Sequence, residues 1–260
     1  MNLTSMKASK TKRILVYGPP KTGKTLLVGK LAAKFKLDWF DLEHGKDTLF
    51  QLPAEQQNNI NIFDIPDTRS TPMAIETCLK VIKGAPVEIC HLHGKVACPL
   101  CKKLPDYAVK HDSIALKEAR PDRVLVFDSL TQLTNSAIAN ITRGTPDDYK
   151  LKQDDWGNLG KIMDMFLSHI QAANYNVICI SHETAVELQD GKERIVPTAG
   201  TRNFSRNTAK YFDEVIYCEV ENKKHKFSSS STAKNSVVTG SRGGIVLEGK
   251  AEVSLLDLWG

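Results

Sequence analysis

No stretch of about 18 consecutive apolar residues occurs anywhere in this chain of 260, which argues against a membrane-spanning helix. The first thirteen residues, MNLTSMKASKTKR, are polar and basic and lack the apolar segment of a secretory signal. The expectation is a cytoplasmic protein (host cytoplasm if the source is viral), with residues 1–11 as a flexible tail before a core over 12–260. No internal repeat is present, and the only low-complexity patch is the serine run 228–231, expected to form a mobile hairpin loop. Charge is not extreme: 35 Lys and Arg against 30 Asp and Glu leave a net +5, compatible with a polyanionic partner without requiring one. Six cysteines in a reducing compartment are not expected to form disulfides, and Cys78, Cys179 and Cys218, in apolar contexts, read as buried small hydrophobes. With 41% hydrophobic residues, the chain can bury one sizeable core.

What is there is an alternation of short apolar runs and helical patterns. Residues 13–17, 37–42, 60–65, 124–127 and 177–180 read as strands, and the unbroken apolar character of the last two is that of central parallel strands. Leu27, Leu31 and Phe35 recur at helical spacing, and Trp156, Leu159, Met163, Phe166 and Ile170 form one helical face. A helix is expected over 71–82 with Ser70 or Thr71 as its N-cap. The runs at 214–220, 236–239, 244–247 and 252–255 lie close together and are expected to finish the sheet as antiparallel strands. The pattern predicts an α/β fold with a mixed, mostly parallel sheet between helices. Two polar stretches, 141–156 and 184–210, are long for simple connections.

The clearest chemical signal is Gly18-Pro19-Pro20-Lys21-Thr22-Gly23-Lys24-Thr25, followed by Leu26, between the first strand and a helix. Glycines let the backbone curl so that several N–H groups face phosphates, aided by the positive end of the helix that follows. Lys24 offers a charge to the β- and γ-phosphates, and the Thr25 hydroxyl a ligand to Mg²⁺. Asp128, ending a buried strand, suits a second Mg²⁺ partner; a helix cap is its bland alternative. Glu43, at the end of the strand after the loop's helix, is the candidate for activating water, against the alternative of a solvated loop acid. These residues predict ATP·Mg²⁺ binding and ATP hydrolysis.

A second cluster stands apart from the first. Cys90-His91-Leu92-His93-Gly94 and Cys98-Pro99-Leu100-Cys101-Lys102 each present two ligands in a short turn, the manner of a zinc knuckle. Cys90, His93, Cys98 and Cys101 make a tetrahedral set for Zn²⁺, with His91 competing with His93. Four protein ligands close a site, so its role is structural, within an insertion at 84–112; a free or redox-active Cys-x-x-Cys is the alternative.

Asp41-Leu42-Glu43-His44 resembles the stretch that carries the catalytic glutamate of RecA-type ATPases, and Val126-Phe127-Asp128-Ser129 is similar to their second metal motif. Over roughly residues 12–255 the chain resembles the phage "core-only" RecA relatives, without room for RecA's extra terminal domains. The resemblance implies a RecA-like core acting on single-stranded DNA in recombination, annealing or repair. It also implies a homo-oligomeric ring or filament and a single-strand-binding protein as a possible further partner. Ser181-His182-Glu183 departs from the family's Gln before the second DNA loop; His182 is either a γ-phosphate sensor or a satisfied core histidine. Ser241-Arg242-Gly243-Gly244 resembles the Arg-Gly stretch of the DnaB helicase core, where the arginine acts in trans, although DnaB's nearby Lys is Gly or Ser here. The stretch 184–210 occupies the place of the second DNA loop, with Arg202, Phe204 and Arg206 as phosphate and stacking contacts, and 141–156 that of the first. An ATP-dependent assembly switch or helicase-loader adaptor is the rival reading. A nucleotide kinase is a third, disfavoured because no arginine-rich lid is evident.

Overall fold

Period-2 burial organises the centre of the molecule. In four neighbouring strands Leu15, Leu125, Val177 and Val215 point to one apolar layer, while Val16, Val126, Ile178 and Ile216 point to the other. The structure is a computed structural model that describes residues 11–84, 86–105, 109–114, 121–188, 191–230, 236–244, 246–248 and 253–259. The tail expected before the core lies, apart from Thr11, outside the described residues, as does Ser231 of the serine run.

In chain order the elements are β1 (Arg13–Tyr17), α1 (Lys24–Gly29), β2 (Lys36–Asp41), α2 (Ala54–Gln57), β3 (Ile60–Asp64), α3 (Met73–Ile82) and β4 (Val87–Cys90). Then come β5 (His111–Ile114), β6 (Arg123–Asp128), α4 (Leu130–Ile141), α5 (Gln153–Gln171), β7 (Asn176–Ser181), β8 (Glu183–Glu187) and β9 (Glu193–Pro197). The last are α6 (Arg202–Asn207), β10 (Glu214–Glu221), β11 (Lys224–Ser228) and β12 (Gly240–Ser241). The main sheet runs β11-β10-β1-β7-β6-β2-β3, with β12 also beside β10. The six strands from β10 to β3 are mutually parallel, and β11 and β12 are antiparallel to β10. The α/β class and the mixed, mostly parallel sheet are as the sequence predicts.

One layer is built by α3, α4 and α5, where Phe127 stacks on Phe40 at 5.1 Å and meets Phe166 edge-on. Such aromatic pairs add about 0.5–1.5 kcal/mol each to the burial of their area. The other layer packs Leu27, Val28 and Leu31 with Trp39 and, from the chain's end, Leu255 and Leu258.

Several expectations are corrected. Residues 214–220 form a parallel strand, because β10 is buried on both faces from Glu214 to Cys218 and belongs beside β1. In the main sheet, among the described residues, only the short β11 and β12 are antiparallel; the described parts of 236–239 and 244–247 form no named strand, and Leu255–Trp259 is a 3₁₀ helix. Helix α3 starts at Met73 after Pro72, and neither Ser70 nor Thr71 caps it. Thr71 instead closes a turn with Thr68, and the Asp67 carboxylate accepts from the Ala74 N–H to cap the helix from outside. The stretch 184–210 is not a loop: β8 and β9 form a hairpin and α6 follows. Ser229, within the serine run, is buried, with its hydroxyl on Glu248.

Candidate ATP site and Cys/His centre

The sheet order sets the geometry of the site. β7 separates β1, which leads into the glycine loop, from β6, which ends at Asp128, so three strand ends open side by side. Gly18 has φ 148°, and a Cβ there would lie 2.0 Å from the Cys218 carbonyl oxygen, so only glycine fits under β10. Gly23, with φ 83°, begins α1 from the left-handed region. Lys21, also left-handed, and the Pro19–Pro20 pair shape the loop's exposed side, and the Thr22 hydroxyl donates to the Pro19 carbonyl at 2.9 Å. Leu26 packs partly buried against the second apolar layer and so anchors α1 below the loop.

Lys24 is buried, and its ammonium donates to the carbonyls of Gly18 at 2.9 Å and Pro19 at 2.6 Å. Burial pulls its pKa down, while Asp128 and Glu43 are among the groups that favour its charge. The Thr25 hydroxyl donates to Asp128 Oδ2 at 3.1 Å. Burial first, and then the charge of Glu43, push the Asp128 pKa up to about 7. A buried carboxylate beside a hydroxyl is an oxygen donor set that fits a hard divalent ion such as Mg²⁺.

Glu43 is held at both oxygens. The Ser129 hydroxyl donates to Oε1, and His182 Nε2 lies 3.1 Å from Oε2. Burial alone would raise its pKa, but those two hydrogen bonds and the charges of His182 and Lys24 outweigh it and hold the group below the ordinary glutamate value. The glycine loop, Thr25, Asp128, Glu43 and His182 are thus brought together. Ser129 and Thr131 are additions the sequence reading missed. Thr131 accepts from the His182 backbone N–H at 2.9 Å and so fixes the end of β7. The signal for Ser129 was in view, a hydroxyl directly after the strand-terminal acid, but only the fold shows that it faces Glu43.

The remaining predicted residues lie elsewhere. Arg242 pairs with Asp213 at 3.2 Å, beside the Arg13 end of β1 and hence at the opposite end of that strand from the glycine loop. Arg202, Phe204 and Arg206 lie on α6, not on an open loop. Phe204 is half-buried and stacks on Tyr211 at 6.0 Å, so it is no free platform for a base. Arg206 donates to the Glu187 carbonyl, and Arg202 is exposed.

Cys90, His93, Cys98 and Cys101 present ligand atoms that all lie within 4.8 Å of one another. His93 Nδ1 is 3.2 Å from Cys101 Sγ and 3.5 Å from Cys98 Sγ, close to the roughly 3.5 Å expected between N and S ligands of one tetrahedral zinc. The three sulfurs are buried, a donor set suited to zinc. His91 turns away to Asp112, with Nε2 at 2.7 Å from its carboxylate, so His93 is the histidine that faces the cluster.

No helix of the described residues is long and apolar enough to cross a membrane. Among solved structures, the chain is similar to an ATPase domain, 15% identical, covering 92% of this chain and 80% of that one at TM-score 0.44. It is also similar to a prototypical ATPase from the type III secretion system of pathogenic bacteria, 14% identical, covering 82% of this chain and 51% of that one at TM-score 0.38. No curated protein matches it. The family of AAA domains is matched over residues 10–243. With its glycine loop, buried acid and this match over most of its length, the chain is a P-loop ATPase that belongs to the AAA domain family.

Proposed function

We propose that this chain is a RecA-like core ATPase that assembles head-to-tail on single-stranded DNA and serves recombination, annealing or repair. The observation that supports it most is a short connection. His182, hydrogen-bonded to Glu43, is followed at once by the β8–β9 hairpin, which carries Lys192 and Arg194. A change at Glu43 on ATP turnover is thus one residue away from a hairpin that carries these two cations among Glu183, Glu187 and Glu193.

In this reading Glu43 orients and deprotonates the attacking water, and Lys24 balances charge on the β- and γ-phosphate oxygens. Thr25 and Asp128 hold Mg²⁺, which when bound neutralises phosphate charge. Arg242 serves the ATP site of a neighbouring copy. Cys90, His93, Cys98 and Cys101 hold one structural zinc per chain, which metal analysis of protein purified without chelators would report.

A second reading is an ATP-dependent assembly switch or helicase-loader adaptor. What favours it is that Phe204 stacks on Tyr211 and Arg206 is bonded to the Glu187 carbonyl. Two of the three contacts assigned to DNA thus have partners within the chain. ATP turnover with and without single-stranded DNA separates the two: stimulation supports the DNA-dependent ATPase, and indifference to DNA supports the switch.

A further inference from the structure

The two centres share a wall. β2 and β3 end side by side, with Asp41 paired to Asp64. The loop that leaves β2 carries Glu43 and is tied down on both strands. The Asp41 carboxylate accepts from the backbone N–H groups of Gly45 at 2.9 Å and Lys46 at 3.2 Å. The Asp64 carboxylate meets His44 Nδ1 at 3.0 Å with one oxygen and the Lys46 ammonium with the other. Asp64 therefore grips the residue after Glu43 and the one two positions further on.

The Cys/His module presses on that same strand end from the far side. Gly94 directly follows His93 and has φ 56°; a Cβ there would lie 2.7 Å from Ile65 Cα and 2.9 Å from the Asp64 carbonyl oxygen. Its N–H donates to the Cys90 carbonyl at 2.9 Å, and its carbonyl accepts from the fully buried Thr77 hydroxyl at 3.0 Å. Gly94 is thus seated between a metal-ligand turn and the backbone of Asp64 and Ile65. A turn whose His and Cys ligands are drawn together by a metal cannot shift without moving that seat, because packed interiors transmit displacement.

We propose that Asp64 is a positioning residue for hydrolysis, through which the Cys/His module braces the loop that carries Glu43. Metal in the module then favours turnover while leaving ATP binding to the glycine loop. The proposal rests on zinc in the module and on Glu43 as the base, and each has its own separate test, by metal analysis and by Glu43→Gln.

Asp64→Asn retains all four metal ligands and the size of the side chain, and weakens the hold on Lys46 and His44. It is expected to keep its zinc, to bind a fluorescent ATP analogue within about twofold of the parent, and to lose about tenfold in single-turnover rate. Stripping zinc from the parent with a chelator is expected to give the same split between rate and binding. Coupling is reciprocal, so ADP with beryllium fluoride should slow zinc release to a chromogenic chelator several-fold in the parent and much less in Asp64→Asn. If stripped protein loses its far-UV circular dichroism, the Asp64→Asn arm and the release assay decide. An unchanged rate in Asp64→Asn, or zinc release indifferent to the nucleotide analogue, would overturn the proposal.

Discussion

His182 Nε2 stands 3.1 Å from Glu43 Oε2, joining the end of β7 to the loop after β2 across the mouth of the ATP site. With Nε2 donating, the ring's other nitrogen is Nδ1, which is buried without a partner among the described residues. The imidazole therefore reports to the carboxylate alone, and its backbone is held by Thr131.

His182→Ala should leave nucleotide binding near the parent value and lower the single-turnover rate about a hundredfold, the scale of a misplaced catalytic group. His182→Gln, which can still donate to Glu43, should recover part of that loss. Rapid quenching with labelled ATP measures both. Equal rates in all three proteins would remove His182 from the machinery.

Gly18→Ala should abolish nucleotide binding and destabilise the fold. The added Cβ meets the Cys218 carbonyl at 2.0 Å, and φ 148° is strained for any side chain. The expected cost is at least about 1–3 kcal/mol, read by thermal unfolding beside equilibrium binding of a fluorescent ATP analogue. A variant with parental binding would mean that β10 does not press on the loop as described.

Arg242→Ala should change thermal stability by less than about 1 kcal/mol, because its pair with Asp213 is exposed on the arginine side. If Arg242 serves a neighbour's site, the same variant keeps ATP binding and loses DNA-stimulated turnover. Mixing it with Lys24→Ala subunits should restore activity at mixed interfaces. No change in turnover, alone or mixed, would leave Arg242 a surface residue.

Glu248 offers a test of the C-terminal packing. Its carboxylate accepts from the backbone N–H groups of Ser229 at 2.7 Å and Ser230 at 2.8 Å, and from both hydroxyls. Burial opposes ionisation, but these bonds, led by that from the Ser230 backbone, hold its pKa down from 4.5 to about 2. A depressed folded-state value means that the stabilisation is fully present above about pH 4.5 and is lost as pH falls toward about 2. Glu248→Gln should therefore be less stable than the parent at pH 7, with the difference shrinking below pH 4.5. Denaturant unfolding at several pH values checks it, and a constant difference would contradict the assignment.

The parallel centre of the fold was legible because its strands are continuous apolar runs, and Gly18 to Thr25 was legible because its chemistry is local. The turn pair around Cys90 and Cys98 was legible for the same reason, although the choice between His91 and His93 needed the salt bridge to Asp112. What was not legible depended on distant partners. Residues 214–220 look like any strand, and only their place beside β1 makes them parallel. Phe204 between two arginines reads as a stacking residue until Tyr211 is seen beneath it. Asp64 carries no motif at all; its role comes from a register with Asp41 and from the approach of Gly94.

The assignment of Glu43 as the base is tested most directly by single-turnover hydrolysis with Glu43→Gln, alongside equilibrium ATP binding. The amide keeps the side chain's size and can accept from Ser129 or His182 through its one oxygen, but it cannot take a proton from water. The account predicts binding within a few-fold of the parent and a hydrolysis rate lowered by at least about a hundredfold. A Glu43→Gln protein that binds ATP normally and hydrolyses it at the parental rate would contradict it.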